Sequence, residues 1–304
     1  MNESVVFTNL LTWSLQIALV VTGAAIIPAL LRLREPHARL SYWQLVLLAS
    51  LLLPFIRPWQ SETIALTVNV QARGNPIPIA LPPAAQTIPI TSWVLIAIAL
   101  GCLARFAWLM TGFRRMRQYR RNSVPLTPMP SWGAEADLRV SASVQGPVTF
   151  GFIRPVVLLP ANFLLLDEST RDAILCHEVL HVRRNDWLFT LAEEFLRTAL
   201  WFHPAIWWAI GEIQLAREQT VDREAIEMTR SRDEYIDALL VIAGANPQND
   251  LAPAPLFLRR RHLKQRVVSI LKEVHMSKRD PYPPSPPVWF CWPHRAGSSP
   301  TPFL

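Results

Sequence analysis

A mainly α-helical membrane protein carrying a small α+β domain is the fold class the sequence predicts, on three observations. Three apolar runs near 10–31, 40–56 and 93–112 approach bilayer-spanning length. Short β-rich stretches follow them, and a series of helical patterns comes after those. The composition agrees, because 51% of the 304 residues are hydrophobic and only 17% are charged. A mean hydropathy of just +0.20 is then the average of strongly apolar and strongly polar blocks.

The first run, Leu10 to Leu31, is broken only by small or weakly polar residues. Asn2 and Glu3 stand where a cleaved signal peptide carries its basic stretch, so a retained span is expected. Leu40 to Ile56 is a second span, with Tyr42, Trp43 and Trp59 near its ends as interface anchors. The stretch 61–90 is Pro-rich, with strand-like alternation from Ile64 to Val70, and is expected to be a loop on one side. Trp93 to Gly112 is the third span; Arg105 within it is expected to snorkel or to face a polar interior.

Arginines set the orientation. Arg32, Arg34 and Arg39 follow the first run, and Arg114, Arg115, Arg117, Arg120 and Arg121 follow the third. Basic flanks resist translocation, so both clusters are expected in the cytoplasm, with the N-terminus outside and everything after Arg121 in the cytoplasm or on its membrane surface. The same distribution argues against direct nucleic-acid binding, although the net charge is +7 and the pI about 9.9. The partner of these charges is the lipid bilayer. Cys102, Cys176 and Cys291 are too scattered for a disulfide framework or a cysteine metal cluster, and the first two read as small apolar fillers.

The second unit is expected to occupy 122–275. Leu138 to Val144 alternates like a strand, and Val148 to Phe152 and Val156 to Leu159 are β-rich runs divided by Arg154 and Pro155. Asp167, Glu168 and Ser169 then offer caps for a helix that runs through His177 and His181 toward Arg183 and Arg184. Asp186 to Phe202 is apolar but carries Glu193, Glu194 and Arg197, which predicts a buried or membrane-apposed helix. Pro204 ends that helix and suits the first turn of the next.

The chemistry concentrates at His177-Glu178-Val179-Leu180-His181. Residues four apart share a helix face, so both imidazoles can reach one Zn²⁺ while Glu178 points toward the attacking water as general base. A catalytic site needs a third ligand, for which Glu218 is the choice, with Asp222 one turn further as a partner that orients a ligand histidine. His203 is the competitor, as a third imidazole, a transition-state donor or a structural cap. Glu193 and Glu194 rank lower, because they can pair with Arg197 at helical spacing.

Several stretches together resemble the BlaR/MecR-type antirepressor metallopeptidases, bacterial membrane proteins of the glutamate-zincin kind. They are Pro147-Val148-Thr149-Phe150-Gly151-Phe152-Ile153-Arg154-Pro155 with the strand after it, His177 through Asp186, Phe202-His203-Pro204 with Trp207 and Trp208, and Arg217-Glu218 with Asp222. The resemblance implies a zincin-like domain in the bacterial cytoplasmic membrane. It implies one catalytic zinc held by His177, His181 and Glu218, Glu178 as base, Asp222 orienting a ligand, and a substrate cleft along Phe150, Gly151 and Pro155. The substrate it implies is a protein, such as a cytoplasmic transcriptional repressor, cut during signal transduction. The same residues also suit a zinc-binding signalling or scaffold protein without turnover.

The sequence departs from sensor-bearing members, which continue into a further span and an extracellular penicillin-binding domain. Here a basic helix is expected at Arg259 to Glu273, and the Pro-rich stretch 276–304 is expected to be disordered or aberrant.

Overall fold

A computed structural model describes residues 3–31, 33, 35–56, 89–127, 135–244 and 263–277. The loop expected over 61–90 falls almost wholly outside these residues, as do Trp59, Cys291 and the stretch 278–304.

Among the described residues, three helices are long and apolar enough to cross a membrane: α1 (Glu3–Leu30), α2 (Pro36–Ile56) and α3 (Ile90–Arg121). Each extends past its apolar run. α3 does so most, continuing through the arginine cluster to Arg121, because Arg, Met and Gln are good helix formers and water beyond the bilayer solvates their charge. Pro28 and Pro54 lie in the last turns of α1 and α2, where each removes the amide donor to the carbonyl four residues earlier but leaves only two helical residues beyond it.

Beyond α3 a four-stranded sheet forms from β1 (Val124–Pro125), β2 (Asp137–Ser141), β3 (Val148–Phe150) and β4 (Val156–Pro160), in the order β1-β2-β4-β3. β2 and β4 are parallel and the outer pairs antiparallel, with Thr149 opposite Val157. Every residue of β4 is buried, so this central strand reads as a continuous apolar run. β3 stands at the sheet edge. Gly151 closes it at φ 95°, where a Cβ would meet the Arg154 carbonyl at 2.8 Å, which is why glycine stands at this turn.

The helices then follow: α4 (Glu168–Arg183), α5 (Asp186–Ala199), α6 (Pro204–Thr229), α7 (Arg232–Gly244) and α8 (Leu263–Ser277). Asp167 caps α4 by accepting from the Thr170 amide at 2.9 Å. α5 ends at Ala199, earlier than the expected Phe202, and the described part of the basic helix is Leu263–Ser277, the expected start at Arg259 lying outside the described residues. Pro204 explains the early end of α5, because it confines helical geometry to its own side of the turn.

Two large cores divide the molecule. One joins the sheet to α4, α6, α7 and α8 through Leu138, Val157, Phe163, Ile174, Tyr235 and Ile270. The other joins α1 and α2 to the N-terminal half of α6 through Ile17, Val21, Trp43, Leu47, Ile206 and Ile210. α6 therefore belongs to both.

Candidate metal centre

α4 presents His177 and His181 one turn apart, and α6 brings Glu218 against them. The two Nε2 atoms are 3.2 Å apart. Glu218 Oε2 lies 3.7 Å from His177 Nε2, and Oε1 3.6 Å from His181 Nε2. Tetrahedral zinc with bonds of about 2.0–2.2 Å separates its ligand atoms by ~3.3–3.6 Å, so the spacing and the two-nitrogen, one-carboxylate donor set both fit that ion.

The outer ring nitrogens are already committed. Asp186, at the start of α5, sits with Oδ2 2.8 Å from His181 Nδ1. Tyr235 of α7 places its hydroxyl 2.8 Å from His177 Nδ1 and donates to Asp222 Oδ1 at 2.6 Å. A carboxylate can only accept, so the Tyr235 proton goes to Asp222 and the Tyr235 oxygen accepts from His177 Nδ1–H. Both imidazoles thus turn their Nε2 lone pairs to the same point. Asp222 itself stands 3.7 Å from His177 Nδ1, so it orients that ring through Tyr235 and not directly.

Arg266 of α8 completes the surround. Its Nη1 lies 2.9 Å from Glu218 Oε2, while Nε and Nη2 donate to the two Asp222 oxygens at 2.8 and 2.5 Å. This fork fixes both carboxylates. Burial opposes ionisation of Glu218, but the charges of Arg266 and then His181 outweigh it and hold the carboxyl well below the usual range. Burial likewise disfavours charge on His181, yet Glu218, followed by Asp186, pushes its pKa up to about 9. Burial and the Asp222 charge push the Tyr235 phenol well above its ordinary value, which keeps it a donor.

Glu178 is buried beside the histidines, and Thr149 of the edge strand donates to its Oε2 at 2.5 Å. Phe150 packs inward toward Trp187, with ring centroids 6.3 Å apart. Gly151 makes the turn and Pro155 supplies the carbonyl that accepts from the Asp137 amide.

The other candidates lie elsewhere. His203 sits at the α5–α6 turn and donates from Nε2 to the Ser14 carbonyl of α1 at 2.9 Å. Glu194 pairs with Arg197, as its spacing suggested, but Glu193 pairs with Arg217 of α6. The sequence assigned no role to Asp186, Tyr235 or Arg266, and placed Thr149 only within the Val148 to Leu159 segment that the resemblance sets along the substrate cleft. Asp186, just past the motif, was within reach of a spacing argument; Tyr235 and Arg266 carry no local signal.

A helix bearing two histidines and a glutamate, completed by a second helix and placed after bilayer-length spans, defines a membrane protein of the peptidase class. The chain belongs to the family described as BlaR1 peptidase M56, whose model matches residues 9–270. It is similar to the regulatory protein BlaR1 of Bacillus licheniformis, at 24% identity over 135 residues that cover 43% of this chain and 22% of that protein. It is also similar to the methicillin resistance mecR1 proteins of Staphylococcus aureus and Staphylococcus epidermidis, each at 20% identity over 198 residues covering 60% of this chain and 34% of theirs. The chain thus spans between a fifth and about a third of these relatives.

Proposed function

We propose that this protein is a zinc-dependent endopeptidase of the cytoplasmic membrane that cuts a cytoplasmic or membrane-associated protein in regulatory signalling. The observation that carries the reading is the convergence of His177 Nε2, His181 Nε2 and Glu218 on one point while both Nδ1 atoms are engaged elsewhere. His177, His181 and Glu218 would hold the ion. Zn²⁺ bound there supplies an acidified water and a polarised scissile carbonyl.

The remaining work falls to this chain's side chains. Glu178 takes the proton of the attacking water and returns it to the leaving amine. Thr149 holds the Glu178 carboxylate in place from the edge strand. That strand suits an extended substrate, which can add to the free side of β3 and so lie beside the base. Asp186, Tyr235 with Asp222, and Arg266 keep the three ligands oriented.

Orientation follows from the arginines. Arg39, near the start of α2, and the cluster at the end of α3 support a domain on the cytoplasmic side, because basic flanks resist translocation. The names of the relatives, a regulatory protein and resistance proteins, suit a substrate such as a transcriptional repressor. The test is zinc content together with cleavage of itself and of candidate repressors, using the full chain in detergent beside Glu178→Gln. Zinc in both with cleavage only by the parent is expected. Metal-free protein of native fold would overturn the reading.

A further inference from the structure

We infer that α5 and the first half of α6 form a re-entrant hairpin that enters the bilayer beside the three spans and turns near its middle. It starts from where the turn lies. Trp201 lays its indole against Gly101 of α3, where a Cβ would come within 2.1 Å of the ring, and donates to the Ile98 carbonyl at 3.1 Å. Cys102 Sγ lies 3.5 Å from the Ala199 carbonyl, and His203 reaches the Ser14 carbonyl of α1. Gly101 is the midpoint of the apolar stretch from Ile90 to Gly112, which at 1.5 Å per residue is ~33 Å long and matches a hydrocarbon core of ~30 Å.

Both arms run along spans in antiparallel register. Trp187, at the mouth of α5, meets Phe113 of α3 at 6.2 Å, so α5 descends from the arginine cluster toward Gly101. On α6, Trp208 meets Trp43 of α2 at 5.0 Å and Glu212 pairs with Arg39 at 3.0 Å, so that arm climbs back to the same side. The 14 residues of α5 make an arm of ~20 Å, which reaches from the interface past ~15 Å to the mid-plane of the core.

The surfaces fit the same placement. Phe195 is 45% exposed, Trp208 44% and Leu188 44%, comparable to Phe106 at 45% and Trp108 at 48% on the span α3. The ionisable side chains point the other way: Glu194 and Arg197 pair in the interior, and Arg105 of α3 approaches Glu194 at 4.0 Å while stacking over Trp207 at 4.8 Å. Pairing of this kind is what ionised groups inside a bilayer require. The occupant of the exposed apolar face is acyl chain, continuous with that around α3.

The test is depth measurement on the full chain in phosphatidylcholine–phosphatidylglycerol nanodiscs, with the three cysteines replaced by serine. Nitroxide labels on Phe195→Cys and Trp208→Cys are compared with Leu103→Cys on α3 and with Arg171→Cys on α4. The expected result is relaxation by oxygen and protection from a nickel chelate at 195 and 208, as at 103. Nickel access as at 171 would overturn the inference. Independently of any label, the emission lost in Trp208→Phe is expected to be the component quenched by lipids brominated at mid-chain; an unquenched component would overturn it.

Discussion

Two regions of this molecule bury ionised side chains, and they do so to opposite effect. Around α5 the charges cancel: Glu193 meets Arg217, and Glu194 meets Arg197 and Arg105. Around α4 the donor atoms are left in surplus, because two imidazole lone pairs and a carboxylate face one another across 3.2–3.7 Å. Balanced pairs hold helices together; two imidazole nitrogens that converge on a carboxylate suit a cation, even with Arg266 on one Glu218 oxygen. Burial alone does not separate the two cases, and Glu194 is buried more deeply than Glu178.

Removing a ligand should sharpen that contrast most. His181→Ala or Glu218→Gln is expected to lower zinc affinity by well over ~100-fold, exceeding the ~10–100-fold effect of an orienting residue. Competition titration against a chelator measures it. The cancelled region should answer in stability instead. Glu194→Gln leaves Arg197 without its buried partner and is expected to cost about 3–5 kcal/mol, read by unfolding in detergent with zinc affinity nearly unchanged. An equal loss of zinc affinity would erase the distinction between the regions.

Asp186→Asn and Tyr235→Phe are expected to weaken zinc binding by ~10–100-fold while the fold persists, because each releases one imidazole from its orienting contact. pH gives a further handle. The His181 pKa is raised to about 9 in the metal-free protein. Its contribution to metal-free stability is therefore full below its ordinary value near ~6.5 and is lost as pH rises through about 9. Zinc competes with that same proton, so affinity should climb over the window in which metal-free stability falls. Opposite slopes in a chelated and a zinc-loaded melting series are the expected outcome.

The smallest effect belongs to Asp167. Hydrogen bonds from Ser169 and Thr170 lower its pKa to about 2. Its capping contribution is present above the ordinary aspartate value near ~3.9 and disappears as pH falls through about 2. Asp167→Ala should remove that acid-limb dependence and leave zinc affinity untouched.

Much of this was legible in the chain because it is local. Hydropathy over about twenty residues marks a span, and i,i+4 spacing puts His177 and His181 on one face whatever the rest of the chain does. Glu218 and Asp222 could be proposed for the same reason, since their own spacing and a neighbouring Arg217 make a recognisable pattern. The choice of α5 as buried or membrane-apposed also followed from its mixture of apolar and charged residues.

Tertiary structure alone supplied the rest. That Tyr235 stands between Asp222 and His177, that Arg266 grips Glu218 from a helix forty-eight residues away in number, and that His203 spends its proton on a carbonyl in α1 are contacts between elements. Periodicity describes one element at a time, so it cannot say which face meets which partner. Glu193 makes the point. Its sequence neighbour Arg197 was an available partner by helical spacing, yet packing of α5 on α6 gave it Arg217, and only the meeting of two helices could decide between them.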